Sequence, residues 1–365
     1  MKQKLLSICC LGYNHAKFIE ANLSAIISSK YEQIEIIAVD DGSTDGSQEI
    51  LKNIAKESRF PIQLLLQENS GNPALNFNRA IRLAKGEFIT FISFDDVLNM
   101  GEIEQMLTEM RKNLKIAFMT STNFNIIDSE GKITENRKLP VYTKKNSTVD
   151  EMLEFEYSKF ESFWLQGTVF RREIINAVQG FDEDMLADDI IIRTKVLRYM
   201  AEHEELSFEL TDAPAFLYRL HGNNISGNTK RQIKSVTQYL DRYWSDRPNP
   251  QVYTEWVAYA VKVYDTPTVK SIFIPSDRLV QAMSDKDVQK NMFEKSFIPL
   301  YNELLAQKQN QINILQQQID SMQWRIDSIF NSRSWRITKP LREVCNLARK
   351  VLLNTKCLLL KGDYI

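Results

Sequence analysis

Over roughly the first 130 residues, short apolar runs bounded by polar breakers alternate with stretches whose hydrophobic residues recur at helical spacing. Runs at 5–10, 34–39, 62–66, 88–93 and 116–120 hold few polar positions and predict strands buried on both faces. Between them, Phe18, Leu23, Ile26 and Ile27, then Ile50, Leu51 and Ile54, then Ala80, Ile81 and Ala84 mark one-sided helices. Such alternation implies right-handed βαβ crossovers, an α/β class and a mainly parallel sheet flanked by helices. Residues 123–137 break the rhythm. Two short β-like runs around a Ser129-Glu130-Gly131 turn predict a hairpin appended to that sheet. Further on, a strand is expected near Gly167–Phe170, a helix after Asp188, and a strand near Ala215–Arg219. Residues 227–300 read as a helical extension punctuated by Pro248, Pro250, Pro267, Pro275 and Pro299.

From Leu305 the composition turns to Gln and Asn. Leu305, Ile312, Leu315, Ile319, Met322, Ile326 and Ile329 fall at successive a and d positions, with Lys308 breaking the seam. This predicts a coiled coil over 301–332 that makes the protein a homo-oligomer; a long helix packed on its own chain is the plainer alternative. Residues 333–365 form a basic tail, with eight Lys/Arg against one Glu between Arg333 and Lys361, a net +7. Its Leu347, Val351, Leu352, Leu358, Leu359 and Leu360 suggest an amphipathic helix on an anionic membrane surface, the alternative being a cap on the bundle.

Charge and composition narrow the classes. With 46 Lys+Arg against 47 Asp+Glu the net charge is −1, which argues against a nucleic-acid binder. A 43% hydrophobic, 10% aromatic chain is not a disordered one. No apolar run approaches the roughly 18–20 residues of a spanning helix, and the N-terminal stretch lacks the cleavage site of a signal peptide. Cys9, Cys10, Cys345 and Cys357 form no C-x-x-C pair, which points to a reduced cytoplasmic protein without a disulfide framework or zinc site.

The chemistry gathers at strand ends, where open parallel sheets bind ligands. The first strand runs into Gly12-Tyr13-Asn14 and the second into Asp40-Asp41-Gly42-Ser43-Thr44-Asp45. Carboxylates there accept hydrogen bonds from a base or a ribose; alternatively the segment is a turn, with Ser43 or Asp45 capping the next helix. The fourth strand ends in Ser93-Phe94-Asp95-Asp96, where a carboxylate can hold a hard divalent cation or cap a helix. Asp188-Asp189 opens an apolar helix and offers either a general base or an N-cap. With three histidines in all (His15, His203, His221), an all-His metal site is excluded.

In combination these segments resemble family 2 glycosyltransferases, whose S-x-x-x-P-x-Y-N and V-D-D-G-S-x-D signatures match LSICCLGYN and VDDGSTD. The likeness continues through GNPALNFNRAIRLAKGEFITFISFDDV, GFDEDMLADDIIIRTK and YRLHGNNIS, in order over residues 5–226. It implies a GT-A fold over 1–226 and inverting transfer of a sugar from a nucleotide diphosphate, most simply a UDP-sugar. By position Tyr13, Asp40 and Asp41 would hold uridine. Asp95, with Asp96 beside it, would bind Mn²⁺ or Mg²⁺, and His221 would approach the same cation and the diphosphate. Asn224 and Ser226 would line that loop. Asp189 would be the base, with Asp188 the runner-up.

Three positions depart from the family pattern. Leu11 replaces the first motif's proline, Ser93 stands where an Asp is usual, and Phe77 stands where many members carry an Arg before Asn78. Arg79 is the adjacent alternative cation. The tail's S-W-R-x-T-x-P-L-R string resembles that of surface-polysaccharide and O-antigen enzymes, implying a glycan or lipid-linked acceptor at the inner face of the cell membrane. Two other readings are a nucleotidyltransferase, which lacks its Gly-rich basic loop here, and an oligomeric scaffold with a decayed sugar site.

Overall fold

A computed structural model describes residues 5–138, 147–222, 229–294 and 298–331. The first half alternates as its hydrophobic pattern predicts: β1 (Leu6–Gly12), α1 (Ala16–Ile27), β2 (Ile34–Asp40), α2 (Ser47–Glu57), β3 (Ile62–Leu66), α3 (Pro73–Leu83) and β4 (Phe88–Ser93). There follow β5 (Val97–Leu98), α4 (Met100–Lys112), β6 (Ile116–Ser121), β7 (Asn123–Ile127) and β8 (Ile133–Lys138). Next come α5 (Val149–Lys159), β9 (Val169–Arg171), α6 (Arg172–Ala177), α7 (Asp189–Ala201), β10 (Ser207–Thr211) and β11 (Phe216–Arg219).

Seven strands form one sheet in the order β10-β6-β9-β4-β1-β2-β3. Neighbours are parallel except where β9 runs against β4 and β6. Both faces are covered, which explains the near absence of polar alternation in these strands. On one face Ile8, Cys10 and Ile36 meet Ile19, Leu23 and Ile26 of α1, with Ile103 and Met106 of α4 in the same core. On the other, Cys9, Ile37 and Val39 meet Ala80 and Ile81 of α3, with Ile192 and Val196 of α7. Cys9 and Cys10 are buried free thiols.

The hairpin expected at 123–137 is present as β7 and β8, but it does not extend the large sheet. It belongs to a second sheet, β5-β11-β7-β8, in which β11 pairs in parallel with β7 and antiparallel with β5. The reason is non-local: β11 arrives from about ninety residues downstream to pair with Asn125–Ile127.

Helices α8 (Thr229–Tyr243), α9 (Gln251–Val263), α10 (Thr266–Ile272), α11 (Asp277–Met283) and α12 (Lys286–Glu294) complete a compact unit that runs to Leu300. The Tyr239 and Thr194 hydroxyls, 2.7 Å apart, join α8 to α7 in the core. Helix α13 (Ile298–Asn331) extends into a separate unit beginning at Tyr301. The expected basic tail at 333–365 lies outside the described residues, as do Asn224 and Ser226.

Candidate active site

Register sets Gly12 beside Asp40 and Leu11 beside Ser93, so the loops after β1, β2 and β4 leave the sheet together. Strand order reverses at β1, with β2 on one side and β4 on the other. That is where such sheets bind ligands.

The first two loops are laced together. Asn14 sits in the left-handed region (φ 56°), which a short polar side chain tolerates. Its N–H donates to Ser43 Oγ at 2.8 Å and its Oδ1 accepts from the Thr44 N–H at 2.9 Å. The His15 N–H donates to Ser47 Oγ at 3.1 Å, and the Ala16 N–H to Asp45 Oδ2 at 2.9 Å. Ser43 therefore acts on the loop before α1, while Asp45 bridges both helix starts. Its Oδ2 takes the Ala16 N–H and its Oδ1 the Ser47 N–H at 3.0 Å, beside the Gly46 N-cap of α2, which has no side chain to cap with. This lattice holds Tyr13 at the rim, 46% exposed.

Beneath it, Asp40 Oδ1 accepts from the Ser43 N–H at 2.9 Å and Gln48 Nε2 at 2.8 Å, while its buried Oδ2 has no partner among the described residues. Asp41 Oδ1 accepts from Gln67 Nε2 (2.8 Å), the Ser70 N–H (2.9 Å) and Ser70 Oγ (2.9 Å), and Oδ2 from the Gly71 N–H (3.1 Å). Burial alone would raise the Asp41 pKa, but the Ser70 backbone and the Gln67, Asn76 and Ser70 side chains outweigh it and leave it lowered. Arg79 donates to Gln67 Oε1 at 2.6 Å, so it steadies the amide that holds Asp41.

Two neighbours turn inward. Asn78 donates to the Phe181 carbonyl at 2.8 Å and accepts from its N–H at 2.8 Å, tying α3 to the loop before α7. Phe77 stacks on Phe181 at 5.2 Å and meets Phe91 edge-on at 5.3 Å, so the position of the family's arginine is a core aromatic.

Past β4 the Asp pair divides. Asp96 is fully buried and accepts the Arg219 N–H at 2.8 Å; burial and the charge on Asp95 raise its pKa well above the carboxylate range. Asp95 faces the crevice. His221 Nε2 lies 3.0 Å from its Oδ2, and His15 Nδ1 lies 3.8 Å from its Oδ1. Burial raises the Asp95 pKa, but the opposing influence of His15, Ser93 and His221 leaves it lowered. His15 itself is lowered by burial, despite Asp95. The ligand atoms of His15, Asp95 and His221 lie within 4.8 Å of one another. Asp95 Oδ1 and His15 Nδ1 are buried and lack a hydrogen-bond partner among the described residues, an arrangement that fits a divalent cation. Sequence reasoning missed His15; its signal was its place directly after the Tyr13-Asn14 motif at a strand end.

Asp188 is the N-cap of α7, its Oδ1 accepting the Asp189 N–H at 2.7 Å. Burial, then the charge on Asp189, raise its pKa to about 6. Asp189 accepts from the Ile190 N–H at 2.8 Å and pairs with Arg193 Nη1 at 2.9 Å. Arg193 also grips buried Glu156 at 2.8 Å.

Residues 7–176 match the family model described as glycosyl transferase family 2. An uncharacterized glycosyltransferase of Haemophilus influenzae is 31% identical over 147 residues, covering 39% of this chain and 58% of that one. The chondroitin synthase of Escherichia coli is 32% identical over 184 residues, 50% of this chain but 26% of that protein. The chain thus spans little more than half of one relative and about a quarter of the other. The structure of S. aureus TarS 1–349 with UDP-GlcNAc shares the fold, with a TM-score of 0.53 at 15% identity, over 83% of this chain and 88% of that one. Residues 7–176 thus resemble glycosyl transferase family 2, and the chain shares the mixed α/β fold of the TarS structure.

Proposed function

We propose that this chain moves a sugar, with inversion, from a UDP-sugar to a hydroxyl of a glycan or lipid-linked acceptor in surface polysaccharide synthesis. One observation carries the reading: an exposed ring (Tyr13), a strongly hydrogen-bonded carboxylate (Asp41) and a His–Asp cluster meet where β1, β2 and β4 end. Relatives named as chondroitin synthase and poly-beta-1,6-N-acetyl-D-glucosamine synthase support the polysaccharide class. TarS holds UDP-GlcNAc, which makes UDP-sugars the first donors to test.

Tyr13 stacks on uracil, and Asp41 accepts from its N–H; Asp40, one residue earlier, faces the ribose. Asp95 and His221 would hold the cation, which when bound supplies Lewis-acid stabilisation of the departing diphosphate. The acid pair at α7 supplies the base that takes the acceptor proton. Asp189, placed first by its motif position, spends both oxygens on Arg193 and the Ile190 N–H. Asp188 has the raised proton affinity and so the better claim.

Around this core, the exposed aliphatic residues of α13 support oligomerisation, and the basic tail supports attachment to the cytoplasmic membrane face. Among the described residues no helix is long and apolar enough to cross a membrane.

The test is UDP release from a panel of UDP- and GDP-sugars, with and without Mn²⁺. Metal-dependent turnover of at least one UDP-sugar is expected, and none with any sugar nucleotide refutes the reading.

A further inference from the structure

We propose that His15 is a third protein ligand beside Asp95 and His221, making a two-imidazole, one-carboxylate site that holds a first-row transition ion in preference to Mg²⁺. The inference rests on the donor site just described and goes beyond the acid-and-histidine pair that the sequence motifs indicate.

Distances carry the first part. His221 Nε2 stands 3.0 Å from Asp95 Oδ2, His15 Nδ1 stands 3.8 Å from Asp95 Oδ1, and the three ligand atoms fit within 4.8 Å. Ligand atoms at about 2.1 Å from one ion lie about 3.0–3.5 Å apart, so a shift of a few tenths of an ångström would close the set. The 3.8 Å separation is too long for a hydrogen bond between the two atoms. Both are nevertheless buried, face each other and have no other partner among the described residues. Burying such atoms unsatisfied costs free energy, and a shared ion would remove that cost.

The surroundings hold His15 in place. Its N–H is bonded to Ser47, and the Asn14 turn before it is bonded to Ser43 and Thr44. Gly12 provides the room: a Cβ there would come within 3.1 Å of His15 Nδ1 and 2.5 Å of Phe94. The Phe18 ring lies 5.0 Å from the His221 ring and 6.3 Å from that of His15, flanking both imidazoles.

Ligand chemistry carries the second part. Mg²⁺ favours carboxylates and retained water in a near-ideal octahedron, whereas imidazole suits the borderline transition ions. Three protein ligands leave coordination positions open to diphosphate oxygens.

Metal-free full-length protein should be titrated calorimetrically with Co²⁺, Mn²⁺ and Mg²⁺, with and without UDP, and the Co²⁺ visible absorption recorded. Co²⁺ and Mn²⁺ should bind about tenfold or more tighter than Mg²⁺. His15→Gln and, as a second variant, His15→Asn should weaken Co²⁺ by about tenfold or more and change its spectrum, with circular dichroism unchanged. Wild-type Co²⁺ affinity and spectrum in either correctly folded variant, or a wild type that prefers Mg²⁺, overturns the proposal. If UDP-sugar turnover occurs while metal binding ignores His15, this inference alone fails. If metal binding depends on His15 but no sugar nucleotide turns over, the function reading alone fails.

Discussion

Adjacent aspartates occur at three points of the chain that the sequence motifs single out, and in each pair the two carboxylates make different contacts. Asp40 braces the turn after β2 through Ser43 and Gln48, while Asp41 gathers donors from Gln67, Ser70 and Gly71. Asp95 is held ionised in the crevice, whereas Asp96 is buried under the Arg219 N–H with its proton affinity raised. At the start of α7, Asp189 is engaged by Arg193 and Asp188 is raised to about 6. A base must be deprotonated to act, so a raised pKa places the acid limb of the rate profile higher. Turnover should therefore rise with pH through about 6 and then level. Asp188→Asn should cut the rate by about 10²-fold or more and remove that limb, while leaving UDP affinity intact. A crippled Asp189→Asn beside a mild Asp188→Asn, in steady-state kinetics across pH 4.5–8, would return the role to Asp189.

Between elements, the decisive link is Glu156–Arg193. Glu156 on α5 is wholly buried, takes Arg193 Nη2 at 2.8 Å and accepts from the Ser162 N–H at 3.1 Å. Arg193 on α7 also donates to the Phe160 carbonyl at 3.0 Å and to Asp189. One guanidinium thus joins α5, the turn after it and the proposed acceptor-side acids. Glu156→Ala would leave that buried cation with only the partly exposed Asp189 as counter-charge, and urea unfolding should show a loss of about 3–5 kcal/mol. The exposed Lys17–Glu130 pair is the contrast, with both side chains more than half exposed. Lys17→Ala should change stability by less than about 1 kcal/mol, since solvent screens such pairs. Two ion pairs of similar length thus differ severalfold through burial.

At the scale of the whole chain, charge and apolar surface concentrate in the C-terminal part. Helix α13 runs 34 residues, and Ile312, Leu315, Met322 and Ile329 on it are 41–52% exposed. Each would contribute roughly 1.5–3 kcal/mol if fully buried against a partner helix. The segment 333–361 carries a net +7, which leaves −8 for the rest of the chain. Each basic residue near an anionic surface adds about 1 kcal/mol, weakened by salt. Removal of everything from Leu305 onward should give a monomer that still binds UDP and no longer sediments with anionic vesicles. Light scattering and co-sedimentation at low and high salt check this; a monomeric full-length protein would rule out the coiled coil.

Periodicity alone was enough for the first five long strands, for α1, α2 and α3 between them and for the long C-terminal helix, because burial on both faces and one-sided helix packing leave local marks. The motif residues were equally legible at strand ends: Tyr13, Asp41 and Asp95 all lie where their positions in the chain suggested. What the sequence could not reveal depends on side chains brought together from far apart. Pairing of β11 with β7 placed the hairpin in a second sheet. Packing against Phe181 turned Asn78 and Phe77 inward. His15, after β1, and His221, after β11 of the second sheet, are 206 positions apart, and only the tertiary fold brings both to Asp95. Which aspartate of a pair is tied up depends on a distant neighbour, as the Arg219 N–H binds Asp96 and Arg193 binds Asp189. The physical reason is range: hydrophobic periodicity is a local property of the chain, whereas proton affinity and metal ligation depend on what the fold sets within about 4–6 Å of a group.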